Sequence, residues 1–265
     1  MVNHLVRILI SIATTLALAY SMFGVGFLVC TSPSATNMIG STFSGWEHSV
    51  FPEEDMAAIA ESVRSFAIDG TDSEQLYNQV TTAIEENYPA LADVFNQGYV
   101  DTSESEALSA ITGSDSLADL EEEYSFPQSA LSHLADCTPL FTTATISIGV
   151  ICGAAIIGLI VIGIFWGRRD VGKVMIGASS LLIVLLIALG IWAIVDFNSL
   201  FTFMHLALFP QGNWTFPADS LLIRLFPEAF WLMMAVLWLA ISIATALIVG
   251  LAGRIIGFGA RRRRN

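Results

Sequence analysis

Long uncharged apolar runs alternate along this chain with polar stretches. Four runs, Ile8–Val29, Leu140–Trp166, Val174–Val195 and Ala229–Gly253, each hold at least 22 residues without a charge. About 20 apolar residues at helical rise cross a hydrocarbon layer of roughly 30 Å. In that layer a helix satisfies its own backbone hydrogen bonds within one segment. The pattern predicts an all-α integral membrane protein with four transmembrane helices. Between the first two runs the apolar positions recur every three or four residues. Met56, Ile59, Ala60, Val63 and Phe66 do so in FPEEDMAAIAESVRSFAIDG (51–70), and Leu76, Val80 and Ile84 in SEQLYNQVTTAIEENYP (73–89). Pro52 and three acids suit the start of the first helix. Asp69-Gly70 closes it, and Pro89 ends the second. Shorter helices are expected over 115–123 and over 125–137, the latter leading into the second run. The Ser-rich segments 31–44 and 102–116 read as loops.

Element length changes the reading of the third run. A helix continuing from Val174 to Phe209 would hold about 36 residues, roughly 54 Å, too long for the bilayer. Asp196 marks where water or a partner must appear, so 197–209 is expected to bend onto the membrane interface. Trp214, Phe216, Phe226 and Trp231 suit an aromatic belt at headgroup level. The expected organisation is a first transmembrane helix with a short cytoplasmic N-terminus (1–30) and an acidic, mostly helical extracytoplasmic insert (31–138). Helices two and three follow with a basic cytoplasmic link at 167–173 (139–196). An extracytoplasmic interfacial segment (197–228) then leads to helix four and a basic cytoplasmic tail (229–265).

Composition and charge agree with that organisation. The chain is 54% hydrophobic and 13% charged, against about 25% charged for a soluble domain. Residues 47–136 hold 20 of the 24 acidic groups and one basic group, Arg64. The net charge of −13 therefore describes the insert. It excludes nucleic acid as a partner, because phosphate contacts need clustered Lys and Arg. Arg7, the Arg168/Arg169/Lys173 link and Arg254 with Arg261–Arg264 share one side of a four-span chain. The positive-inside rule makes that side the cytoplasm, with RRRRN as a topology anchor or a contact to anionic lipid. Cys30 and Cys137 then share the outer compartment, which permits a disulfide between them. Cys152 reads as a small packing residue.

Two histidines carry the candidate chemistry. His205 stands in FMHLALFPQGNW (203–214), and His133 in SHLADC (132–137), three residues before Asp136 on one helical face. A carboxylate fixes the tautomer of an imidazole and stabilises its cation. Both histidines are expected at the outer lipid–water boundary, where they suit acid–base work on a lipid ester. One would take a proton from a nucleophile while the other, or a separate donor, stabilises the oxyanion. No ligand-spaced metal cluster, P-loop or Gly-x-Ser-x-Gly elbow occurs, so neither a metal nor a cofactor is expected. The competing reading is a non-catalytic membrane protein whose acidic outer domain binds a partner and whose histidines only pack.

Two blocks bring a family into view. FPQSALSHLADCTPLF (126–141) and DFNSLFTFMHLALFPQGNWTFPADSLLIRLFPEAFW (196–231) resemble the two signatures of the bacterial lipoprotein intramolecular transacylase family. The resemblance implies a multi-pass protein of the bacterial cell membrane, with both termini cytoplasmic, acting among membrane lipids. Its substrates would be diacylglyceryl-modified lipoproteins. The sn-2 acyl chain would move from the glyceryl ester to the α-amine of the N-terminal cysteine, leaving a lyso-form lipoprotein. The family's catalytic histidines fall on His133 and His205. His205 is expected as base and His133, held by Asp136, as acid or oxyanion partner, with the reverse order open. Asn213, Trp214, Asp219 and Arg224 are expected to bind substrate, with a lipid phosphate as the alternative for Arg224.

Overall fold

A computed structural model describes residues 2–97 and 117–262, and every regular element among them is helical. In chain order the α-helices are α1 (Val2–Cys30), α2 (Pro33–Phe43), α3 (Glu53–Arg64), α4 (Ser73–Asn87), α5 (Pro89–Gln97) and α6 (Leu117–Tyr124). They continue with α7 (Gln128–Phe165), α8 (Arg168–Val195), α9 (Phe197–Leu208), α10 (Leu221–Leu225) and α11 (Glu228–Arg262). Four are long and apolar enough to cross a membrane: α1, α7, α8 and α11. The chain divides into two compact units. One comprises Met1–Thr31, Thr143–Leu200 and Ala235–Asn265, and the other Ser32–Thr142 and Phe201–Met234.

Small residues let the helices of the first unit close on one another. Ala19 and Met22 of α1, Ala178, Leu182 and Leu186 of α8, and Ala246 of α11 form its core. Association in lipid is driven by close packing rather than by water exclusion, and Gly172 shows how close. A methyl group there would stand 2.5 Å from the carbonyl oxygen of Gly253, so only glycine lets α8 and α11 touch. Trp238 Nε1 donates to the Phe23 carbonyl at 2.9 Å. Large aliphatic side chains such as Ile157, Ile164 and Ile194 face outward. Arg7 pairs with Asp170, whose other oxygen accepts from Lys173 at 2.9 Å. That pairing brings the start of α1 to the link between α7 and α8.

The second unit has a more conventional core. Met56, Ile59, Ala60 and Val63 of α3, with Leu76, Val80 and Ile84 of α4, are buried as their spacing predicts. Trp46 is also buried, lies against Gly40 of α2, and donates from Nε1 to the Leu225 carbonyl at 3.1 Å, tying α10 to this core. Phe51, Tyr88 and Tyr124 meet edge to face.

Several expectations change here. Residues 31–44 are not a loop. Ser32 caps α2 by accepting from Ala35 N, Pro33 takes the first turn, and Ala35, Thr36, Ile39 and Gly40 are buried. Hydroxyl-rich composition hid a capped helix. Pro89 does end α4, but it also opens α5, since a missing N–H costs nothing in a first turn. A π-turn over Ser65–Asp69 follows α3, so Ala67 rather than Phe66 is buried. The 125–137 helix and the second apolar run are one helix, α7, with Pro139 inside it. Cys30, Cys137 and Cys152 form no disulfide. The segment 102–116 lies outside the described residues.

Candidate functional site

The site is assembled from one face of α7, one face of α9 and the turn that follows α9. The third apolar helix breaks at Asp196, whose Oδ1 accepts from Ser199 N at 2.9 Å and so starts α9. Phe201 and His205 on α9, and Phe209 just past its end, are four residues apart and so share a face. The chain then reverses through Pro210 and Gln211, with Gly212 N donating to the Phe209 carbonyl at 3.1 Å. Gly212 has φ +82°, a conformation that a Cβ disfavours. The reversal delivers Asn213, Trp214 and Phe216 back toward the histidine face.

His133 and His205 meet. Their ring centroids lie 6.2 Å apart with planes 29° from parallel, and the residues are 8% and 7% exposed. Aromatic rings enclose them. Phe209 and Phe216 lie 4.6 and 5.7 Å from His133, while Phe201 and Trp214 lie 4.0 and 5.0 Å from His205. Burial therefore dominates the titration of both. His133 is pushed down to about 4, by desolvation first and the neighbouring His205 second, against the pull of Asp136. His205 is also lowered by desolvation, partly offset by its bond to the Phe201 backbone. Both imidazoles are neutral at pH 7.

The hydrogen bonds assign the atoms. His205 Nδ1 lies 2.9 Å from the Phe201 carbonyl oxygen. A carbonyl only accepts, so Nδ1 carries the hydrogen and Nε2 carries the lone pair. His133 Nδ1 and Trp214 Nε1 are buried and meet no partner among the described residues. Asp136 does not hydrogen-bond to His133, contrary to the expectation from sequence. Its Oδ2 accepts from Gln211 Nε2 at 2.9 Å and Asn213 Nδ2 at 2.8 Å. Three residues along a helix is about 60° round its face, which turns Asp136 toward Gln211 and Asn213 while His133 faces Phe209 and Phe216. Cys137 donates from Sγ to the His133 carbonyl at 3.3 Å, and burial pushes its thiol up to about 12.

Asp219 and Arg224 stand elsewhere in the unit. Arg224 donates from Nε to the Asp219 carbonyl at 2.8 Å and pairs with Glu123 at 2.9 Å. That pair holds α10 to α6. Among the described residues no three His, Cys, Asp or Glu side chains gather as a metal would require. Gln211 and the ring walls Phe201 and Phe209 were not singled out from sequence. The two phenylalanines were legible as the i−4 and i+4 neighbours of His205; Gln211 carried no such signal.

A family model described as lipoprotein intramolecular transacylase Lit matches residues 56–231, a stretch that contains every residue of this site. No curated protein matches the chain. Among solved structures, the membrane-integral lipoprotein intramolecular transacylase Lit from Bacillus cereus is similar with a TM-score of 0.67 at 14% identity, over 98% of this chain and 99% of that one. The same protein bearing a histidine-to-arginine substitution gives 0.54 at 17% identity, over 99% and 96%. At such identities the likeness speaks to fold.

Proposed function

The chain belongs to the lipoprotein intramolecular transacylase family, and we propose that His205 and His133 carry its acyl transfer. The reaction moves the sn-2 acyl chain of a diacylglyceryl lipoprotein to the α-amine of the N-terminal cysteine. The amine and the ester belong to one substrate molecule, so holding them together supplies much of the rate. The amine nitrogen attacks the ester carbonyl carbon and forms the new C–N bond. His205 Nε2 takes the proton that the amine sheds. The tetrahedral oxyanion receives hydrogen bonds from the neutral His133 and from Trp214 Nε1. When the C–O bond breaks, the imidazolium of His205 returns the proton to the glyceryl oxygen. Atoms balance without a co-reactant. An imidazole pushed as low as His133 is a poor proton carrier at pH 7 but a good neutral donor, which favours this order over its reverse. Cys137 is a poor rival nucleophile, since only a thiolate attacks efficiently and its thiol is pushed up to about 12.

The observation that carries the reading is the bond from His205 Nδ1 to the Phe201 carbonyl, which leaves Nε2 as the basic atom. The chain is a membrane protein. We further propose that both termini and the 167–173 link are cytoplasmic, with 31–138 and 197–228 on the outer side. The basic residues favour this, and the Arg7–Asp170 pair supports it by joining the N-terminus to the link. The test is mass spectrometry of a reporter lipoprotein's N-terminal peptide from cells lacking other N-acylation. The active protein is expected to yield an amide-linked chain and a monoacylglyceryl thioether. His205→Ala and His133→Ala, confirmed folded in the membrane, are each expected to lower turnover roughly 10²- to 10⁴-fold. Full turnover by His205→Ala would overturn the assignment.

A further inference from the structure

One buried polar atom of the site has no role in the steps above. Asn213 Oδ1 is buried and meets no hydrogen-bond partner among the described residues, although Asn213 Nδ2 donates to Asp136 Oδ2 at 2.8 Å. That bond decides which way the amide faces. A carboxylate only accepts, so a flipped amide would set oxygen against oxygen. Gln211 Nε2 holds the same carboxylate oxygen at 2.9 Å, from the other end of the reversal. Asp136 thus presents Asn213 with its acceptor turned away from the carboxylate. A buried acceptor without a donor is costly, and the missing donor identifies what belongs there. At the reacting centre of a diacylglyceryl cysteine, the ester oxygens and the thioether sulfur only accept. Of the groups that react, the α-amine alone donates.

We propose that Asn213 holds the attacking α-amine, its Oδ1 accepting one N–H, and that Asp136 is the positioning residue that sets the Asn213 amide. This rests on the acyl-transfer reading above and adds the amine's binding partner to it. A neutral primary amine has two hydrogens and one lone pair. One hydrogen goes to Asn213 Oδ1 and the other to His205 Nε2, and the lone pair is left pointing at the carbonyl carbon. Trp214 serves the ester end with a donor, and Asn213 serves the amine end with an acceptor.

The test uses full-length protein in proteoliposomes and a synthetic diacylglyceryl-cysteine lipopeptide, with kcat followed against pH. Asn213→Leu removes the acceptor and is expected to lower kcat roughly 10- to 100-fold. Asp136→Asn is expected to lower it less. The exchanged pair, Asp136→Asn with Asn213→Asp, restores the same hydrogen bond with the roles reversed and keeps an oxygen for the amine. It is expected to recover most of the Asn213→Leu loss. A carboxylate now beside the amine stabilises the ammonium form, so the acid limb of kcat is expected to move up by about one pH unit. A merely structural Asn213 would leave that limb in place. Full kcat in Asn213→Leu, or an unmoved limb in the exchanged pair, overturns the amine site. His205→Ala measured in parallel keeps the two readings apart. Activity there overturns the acyl-transfer assignment, whereas an inactive His205→Ala with an unmoved limb overturns the amine site alone.

Discussion

At the scale of single residues, the chemistry depends on two imidazoles that stay neutral. With His133 pushed down to about 4 and His205 lowered by burial, neither is the group that changes charge as the pH rises above neutrality. The group that does is the substrate's α-amine, with an ordinary pKa near 7.7–8.0. Only its neutral form has a lone pair to attack with. Activity on free substrate is therefore expected to rise with pH through roughly 6.5 to 8 and then level. Replacing the α-amine by an α-hydroxyl removes that titration, so any remaining acid limb should fall below pH 6.5, the ordinary value of His205. A limb that stays near 8 in the hydroxyl analogue would assign it to the protein instead. Trp214 offers a second residue-level test. Trp214→Phe keeps a ring against His205 but removes the indole N–H. The loss of one oxyanion donor is expected to lower kcat about 10²-fold while KM changes little; an unchanged kcat would exclude the indole from that role.

At the scale of elements, the site depends on the reversal after α9. Gly212 sits at φ +82°, where an L-residue pays about 1–2 kcal/mol. Gly212→Val is expected to lower the thermal midpoint of the purified protein modestly and its activity more, because Asn213 and Trp214 follow directly. Equal losses of both would show general unfolding instead. Much of this was legible in the sequence. The four apolar runs, the α3 and α4 stripes, the break at Asp196 and the two histidines all follow from spacing and charge. What escaped had physical causes. Ser32 and Pro33 make a helix start whose composition resembles a loop. The Asp136–Asn213 bond spans 77 residues, and no local periodicity reports it. On one helix, Asp136 and His133 are close enough to suggest a pair, yet the carboxylate turns to the amides of a distant turn.

At the scale of the molecule, close backbone contacts hold the helices of the first unit together. Gly172→Leu is expected to part α8 from α11, since even a methyl group there would lie 2.5 Å from the Gly253 carbonyl. The loss should appear as a lower thermal midpoint, with Gly172→Ala intermediate; equal midpoints would contradict the close contact. The central claim is that one substrate molecule supplies both the acyl chain and the amine, with no acyl-enzyme between them. A crossover measurement tests it most directly. Two lipopeptides are mixed, one with deuterated acyl chains on an unlabelled peptide and one with ordinary chains on an isotopically heavy peptide. The products are then weighed by mass spectrometry. Direct transfer within each molecule is expected to leave deuterated amides only on unlabelled peptides and ordinary amides only on heavy ones. Crossed products in proportion to the mixture would mean that the chain leaves its own substrate, and would contradict the mechanism.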